Sequence, residues 1–228
     1  ISSDGKLGPL YSGNTVMLST DYYELCKTRM KEDGLFIQWA PIITPLNEVR
    51  VMLESLKRSF KYVSLFYFYP SDIFMLASET PIILDKGHMD TVLSDPNIRR
   101  ELERFNIRDS FSLLSSYMGV YESSPNEAIR TNSFDRPILE FEFMRDWKKS
   151  RRWEGGYRAK NLEYMVENYE KTDLSFLFGV FKNVDKRTIE NIYKASMLFF
   201  RGGITFFKTG NFQKSFQEYT RFRESVQF

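Results

Sequence analysis

An apolar residue, two serines, an aspartate and a glycine stand together in Ile1-Ser2-Ser3-Asp4-Gly5, which runs into Leu7-Gly8-Pro9. That pattern reads as the carboxyl end of a strand opening into a flexible loop. Ligands of open α/β sheets bind at that end of the strands. A carboxylate placed there can pair with an amine or take its proton, which makes Asp4 the first candidate catalytic residue. Other chemistries are poorly supplied. His88 is the one histidine, so a multi-histidine metal site cannot be built from this chain and a Ser-His-Asp triad is improbable. Cys26 is the one cysteine, which excludes an internal disulfide and a cysteine-based zinc site. The sequence contains neither a phosphate loop nor Gly-x-Gly-x-x-Gly. Most acidic residues have basic neighbours in helical patterns and read as solvated.

The 228 residues suit one large domain or two small ones. With 32 basic and 30 acidic side chains the net charge is +2, which carries no electrostatic footprint for nucleic acid or an acidic membrane face. The 21 Phe and 13 Tyr argue for a packed core, not a disordered chain. No apolar run reaches the ~18 residues of a membrane helix. The longest, Leu35–Ile43 and Val63–Pro70, are strand-length. A signal-peptide pattern is not visible, so a cytoplasmic protein is expected, with attachment to an upstream membrane domain left open.

Several elements must position such a loop. Tyr22, Leu25, Cys26 and Met30 fall at helical spacing after Ser19, Thr20 and Asp21, which offer cap side chains. Asp33-Gly34 is expected to end that helix with a left-handed glycine. Leu35-Phe36-Ile37-Gln38-Trp39 reads as a buried strand. Leu46, Val49, Leu53, Leu56 and Phe60 mark one face of a second helix, with Thr44 as its expected cap and Pro45 in its first turn. Val63–Tyr69 and Ile73–Ala77 read as strands joined by the turn Pro70-Ser71-Asp72. Helix, strand, helix, strand and hairpin strand in this order form the back half of an α/β sheet.

Beyond Pro81 the pattern is less regular. A helix is expected after Asp95-Pro96, with Ile98, Leu102 and Phe105 on one face, and another over Asp109–Met118, with Phe111, Leu114 and Tyr117 on one face. Arg136–Phe143 alternates apolar and polar and predicts a half-exposed strand. Residues 146–160 are charged, contain Gly155-Gly156 and read as a linker. Their basic run, Lys148-Lys149-Ser150-Arg151-Arg152, reads as solvated. From Asn161 onward the pattern is helical. Phe199, Gly203, Phe206, Gly210, Phe212, Ser215 and Tyr219 have the spacing of a tetratricopeptide-like repeat over 196–228. Gly203 and Ser215 would let two helices approach closely across the turn Lys208-Thr209-Gly210-Asn211. One such repeat must stack on the preceding helices or on a protein partner.

The order of several segments resembles spermidine synthases. Ser2-Ser3-Asp4-Gly5-Lys6-Leu7-Gly8-Pro9 is similar to that family's loop after strand four. Asp21-Tyr22-Tyr23-Glu24-Leu25 and Lys31-Glu32-Asp33-Gly34-Leu35-Phe36-Ile37-Gln38-Trp39 follow as they do there. Phe68-Tyr69-Pro70-Ser71 with Phe74-Met75-Leu76-Ala77-Ser78 resembles the family's hairpin. Thr131-Asn132-Ser133-Phe134-Asp135-Arg136-Pro137-Ile138-Leu139-Glu140-Phe141 resembles a segment of the larger bacterial members, several of which are fused to membrane domains. The similarity spans residues 1–145 and leaves out the helical tail.

The resemblance implies the back half of a Rossmann-like, methyltransferase-type α/β sheet, followed by an α-helical tail over 161–228. It implies aminopropyl transfer from decarboxylated S-adenosylmethionine to a polyamine such as putrescine, with no metal or redox cofactor. Asp4 would be the catalytic aspartate, Tyr69 would orient the amine, and Gln38 would contact substrate. Where the family loop carries a second aspartate, three residues on, this chain has Leu7; the family's strand glutamine falls at Trp39, one place after Gln38. The chain opens without an initiator Met and is expected to be the carboxyl-terminal portion of a longer protein, whose nucleotide-binding half precedes Ile1. As this portion alone it is expected to be inactive. Two rival readings are a catalytically dead scaffold whose helical repeat binds a protein, and an S-adenosylmethionine-dependent methyltransferase. A homodimer is left open.

Overall fold

The computed structural model describes residues 14–68, 72–104, 107–124, 126–142 and 154–211, together with helical positions 213, 217, 220, 221 and 224. After a 3-10 turn at Asn14–Leu18, α1 spans Thr20–Lys27. Ser19 caps it as expected, its Oγ accepting from the Tyr22 amide at 3.2 Å. The helix ends earlier than Asp33-Gly34, at a Thr28 cap in right-handed conformation. Gly34 does not adopt the left-handed region. A Cβ there would lie 2.9 Å from the Lys31 carbonyl oxygen, so close backbone approach is what suits glycine.

Strand β1 (Phe36–Pro41), helix α2 (Leu46–Ser59) and strands β2 (Tyr62–Phe68) and β3 (Asp72–Ser78) follow in the expected order. Val49, Leu53, Leu56 and Phe60 are buried on the predicted face of α2, while Leu46 is half-buried. Thr44 is not the cap. Pro45 occupies that position without a side-chain bond, and the buried Thr44 hydroxyl has no hydrogen-bond partner among the described residues. Asn161, distant in sequence, secures this loop, its Nδ2 donating to the Ile42 and Thr44 carbonyls at 2.7 and 2.5 Å.

With a later strand, β5 (Tyr117–Val120), the sheet has the order β1-β3-β2-β5, with every neighbouring pair antiparallel. Because β3 is antiparallel to both β1 and β2, those two strands run parallel, and α2 connects them. The side chains of Ile73, Met75 and Ala77 share one fully buried sheet face with Val63, Leu65 and Tyr67. Trp39, Phe74 and Phe68 lie half-buried on the other face, beside the buried Phe66.

Three short helices follow: α3 (Lys86–Leu93), α4 (Pro96–Glu103) and α5 (Ser110–Leu114), capped by Asp85, Asp95 and Asp109. Helix α4 has no fully buried residue: of the apolar face expected there, Ile98 is exposed and Leu102 half-buried, and Phe105 lies outside the described residues. Helix α5 stops short of the predicted end. Tyr117 and Met118 belong instead to β5 (Tyr117–Val120), which pairs with β2. Gly119 sits there at φ +87, which excludes a continuing right-handed helix, and a Cβ there would meet Thr172 Oγ1 at 2.9 Å. Arg136–Phe143 is also not a strand as far as it is described, since residues 138–142 form a helical turn.

Helix α6 (Glu154–Glu170) begins within the segment read as a linker and includes Gly155-Gly156. Helix α7 (Leu174–Val180) leads into β6 (Phe181–Lys182), which pairs in parallel with β4 (Leu84–Asp85). Helix α8 (Lys186–Thr209) packs along α6 and ends at Gly210, φ +73, in the predicted turn. Gly203 permits the close approach expected of it, but toward α6: a Cβ there would lie 2.8 Å from Leu162 Cδ2. Ser215 lies outside the described residues. The buried apolar cluster is continuous from Leu18 to Phe200 and joins α6 and α8 to the sheet. Its aromatic link runs from Phe66 to Tyr117 at 5.3 Å, Tyr117 to Tyr169 at 6.3 Å, Tyr169 to Phe200 at 6.1 Å and Phe200 to Tyr67 at 6.2 Å.

The buried tyrosines carry a pH dependence. Burial pushes the Tyr117 phenol up to about 12 and raises those of Tyr23, Tyr121 and Tyr169 as well. In the unfolded chain they titrate near ~10. The folded state therefore holds more protons above that pH, and stability falls as pH rises through the window from ~10 upward. Alkaline titration is expected to give one cooperative unfolding above pH ~10, with phenolate absorbance rising together with loss of circular dichroism. Full tyrosine ionisation in a still-folded protein would contradict this.

Candidate functional site

The carboxyl ends of β1 and β2 meet the start of β3. Pro41 and Phe68 both stand opposite Asp72 in the register. The Trp39 indole, two residues back on β1, donates from Nε1 to Asp72 Oδ1 at 2.6 Å. Phe68 and Phe74 meet edge to face at 5.5 Å on the same side of the sheet, and Phe66 stacks on Phe68 at 6.4 Å. The result is a carboxylate held in orientation by an indole N–H beside aromatic surface. Carboxylate plus aromatic faces is a combination that recognises organic cations.

Of the residues singled out from sequence, Asp4 and Tyr69 lie outside the described residues. Gln38 is half-buried in β1, opposite Met75. Its Nε2 donates to the Trp39 carbonyl at 2.8 Å. Neighbouring strand residues point to opposite faces, so Gln38 does not join the Trp39–Asp72 group. Tyr69 would follow Phe68 directly, next to that group in the chain. Asp72 was legible only as a turn residue. Its distinguishing signal, an indole partner on a strand 33 positions away, exists only once β1 and β3 are paired.

A separate cavity of about 700 Å³ lies between α2, the segment after β5 and the α6–α7 turn. Its charges are largely matched within the fold. Arg50 pairs with Glu127 and lies 5.6 Å over the Tyr164 ring, and Glu122 pairs with Lys57 at 2.8 Å. Asp173 caps α7, accepting from the Ser175 amide at 3.0 Å. The ion pairs tie α2 to the segment after β5, Arg50 alone reaches α6 through Tyr164, and the cavity shares no residue with the Trp39–Asp72 group.

His88 is exposed, and its backbone amide donates to the Asp85 cap at 3.2 Å. Asp85 is held below the usual carboxylate range, first by the Asn183 side chain and then by that amide. No cluster of three metal-ligating side chains occurs among the described residues. Among them also, no helix is long and apolar enough to cross a membrane. Compared with family models, curated proteins and solved structures, the chain matches none.

Proposed function

We propose that this chain is the carboxyl-terminal α/β portion of a spermidine synthase-like aminopropyltransferase and supplies the acceptor side of its site. The observation that carries the reading is the β1–α2–β2 crossover, with β3 returning between the two parallel strands. That unit is how a Rossmann-like sheet is extended, and it sets a hairpin at the carboxyl edge, where such sheets bind ligands. The hairpin falls on the residues that resemble the family's own.

The chemistry asks for a carboxylate near a cationic amine. The amine must lose its proton before its nitrogen lone pair attacks the methylene carbon bonded to the sulfonium. The C–N bond forms as the C–S bond breaks, and the electron pair goes to sulfur, leaving methylthioadenosine. Asp4 is the residue proposed to take the proton. Tyr69 is proposed to orient the amine.

Thermal unfolding of the polypeptide as translated from its gene tests this reading. A ligand at ~100 times its dissociation constant stabilises by ~2.7 kcal/mol, well within reach of a midpoint shift. Decarboxylated S-adenosylmethionine is expected to stabilise more than S-adenosylmethionine. The reverse preference would identify a methyltransferase, and no shift with either would favour the scaffold, with the tetratricopeptide-like repeat read over 196–228 as its binding surface.

A further inference from the structure

The cavity between α2, the segment after β5 and the α6–α7 turn encloses about 700 Å³, within the ~300–1,000 Å³ usual for small-molecule sites. We infer that it binds a free linear alkylammonium cation, with Glu167 receiving an ammonium group and the Phe176 ring facing the methylene chain. This is a site apart from the proposed acceptor side, and it does not rest on aminopropyl transfer.

Charge, rings and a fixed floor converge on that ligand class. The lining sets the carboxylates of Glu122, Glu127, Glu167 and Asp173 against the cations Arg50 and Lys171. Arg50 matches Glu127, and Lys57 matches Glu122. Glu167 and Asp173 therefore face Lys171 with negative charge in surplus. Asp173 is engaged by the Ser175 amide, which holds it below the usual carboxylate range and keeps it ionised. Glu167 has no hydrogen-bond or ion-pair partner among the described residues. Aromatic faces stand within a helical turn of both acids. Tyr164 precedes Glu167 on α6 and already carries the Arg50 guanidinium 5.6 Å over its ring. Phe176 follows Asp173 on α7 and is 43% exposed. A carboxylate beside a ring face is the pairing that recognises alkylammonium groups. The floor is tied down, since Asn168 Nδ2 donates to the Val120 carbonyl at 2.8 Å and Gly119 lies close against Thr172. A ligand thus meets walls that need little ordering.

Amide chemical-shift titration of the 228-residue chain with cadaverine tests this, with pentanediol as the uncharged control of equal length. Wild type is expected to show saturable shifts over residues 164–176 with cadaverine and none there with pentanediol. Glu167→Gln is expected to weaken cadaverine roughly tenfold, as loss of a charged hydrogen-bonding partner does. Glu167→Lys is expected to abolish the shifts, and Phe176→Ala to weaken binding several-fold. Glu170→Gln removes a neighbouring acid that pairs with Arg201 outside the cavity, and is expected to leave the affinity unchanged. All three positions are exposed, and the same spectra report whether each variant is folded.

Wild type without cadaverine-induced shifts over 164–176 overturns the inference. So does pentanediol binding as tightly, equal affinity in Glu167→Gln and wild type, or an equal loss in Glu170→Gln, which would reduce the effect to diffuse surface charge. Donor binding keeps the two readings apart. Glu167-dependent cadaverine binding, without stabilisation of the gene-encoded polypeptide by decarboxylated S-adenosylmethionine, retains the site and rejects aminopropyl transfer. Donor stabilisation with no cadaverine shifts at 164–176 does the reverse.

Discussion

Asn132→Ala is expected to destabilise the protein by about 3–5 kcal/mol, a large share of the ~5–15 kcal/mol that holds a typical domain folded. The side chain is fully buried and serves three backbone groups. Its Nδ2 donates to the Thr15 and Leu18 carbonyls at 2.8 and 3.3 Å, and its Oδ1 accepts from the Leu139 amide at 3.2 Å. Its own backbone joins the same knot: the amide donates to Ser55 Oγ at 2.9 Å, and the carbonyl accepts from the Thr20 amide at 2.9 Å. One residue thereby ties the segment before α1, helix α2 and the turn at 138–142 together. Alanine would strand three buried polar groups, each costing about 1–3 kcal/mol and not additively. Asn132→Asp should be at least as damaging, since a carboxylate has no donor for the two carbonyls. Urea unfolding checks both; a loss below about 1 kcal/mol in Asn132→Ala would show that the knot is not what holds these segments.

The second large effect is expected at Tyr169, where the helices join the sheet. Its ring meets Tyr117 at 6.3 Å, Tyr193 at 5.1 Å and Phe200 at 6.1 Å, and the residue is fully buried. Tyr169→Ala should cost about 3–5 kcal/mol, the range for removing a buried aromatic ring. Tyr169→Phe keeps the ring and should stay within about 1 kcal/mol of wild type. Denaturant midpoints for the pair distinguish packing from hydroxyl chemistry. An equal loss in both would assign the role to the hydroxyl instead.

These two residues also show what could be read from the chain and what could not. The succession α1-β1-α2-β2-β3 was legible because each element carries its own local signal: a Ser19 cap, a 3.6-residue apolar period in α2, and aromatic or β-branched runs in β1 and β2. Residues 117–120 were not. Phe111, Leu114 and Tyr117 continue a helical spacing, and only pairing with β2 and the positive φ of Gly119 make a strand there. The alternation over 136–143 was equally misleading, since Leu139 is buried through Asn132 and Glu142 is drawn to Arg130. Two-residue strands such as β4 and β6, nearly a hundred positions apart, leave no periodicity at all.

The candidate site divides the same way. Gln38 and Trp39 were both legible as strand residues, and neighbours on a strand face opposite sides of the sheet. Which of them meets the carboxyl edge depends on the pairing of β1 with β3. Asp72 gains its meaning from the Trp39 indole, a contact between strands that no local window contains.

Product formation tests the central claim most directly. The polypeptide as translated from its gene, given decarboxylated S-adenosylmethionine and putrescine, is predicted to form spermidine and methylthioadenosine in equal amounts, followed by mass spectrometry. Asp4→Asn is predicted to abolish both products while sparing donor binding. Folded protein that forms neither product, or an Asp4→Asn variant with unchanged turnover, would contradict the account.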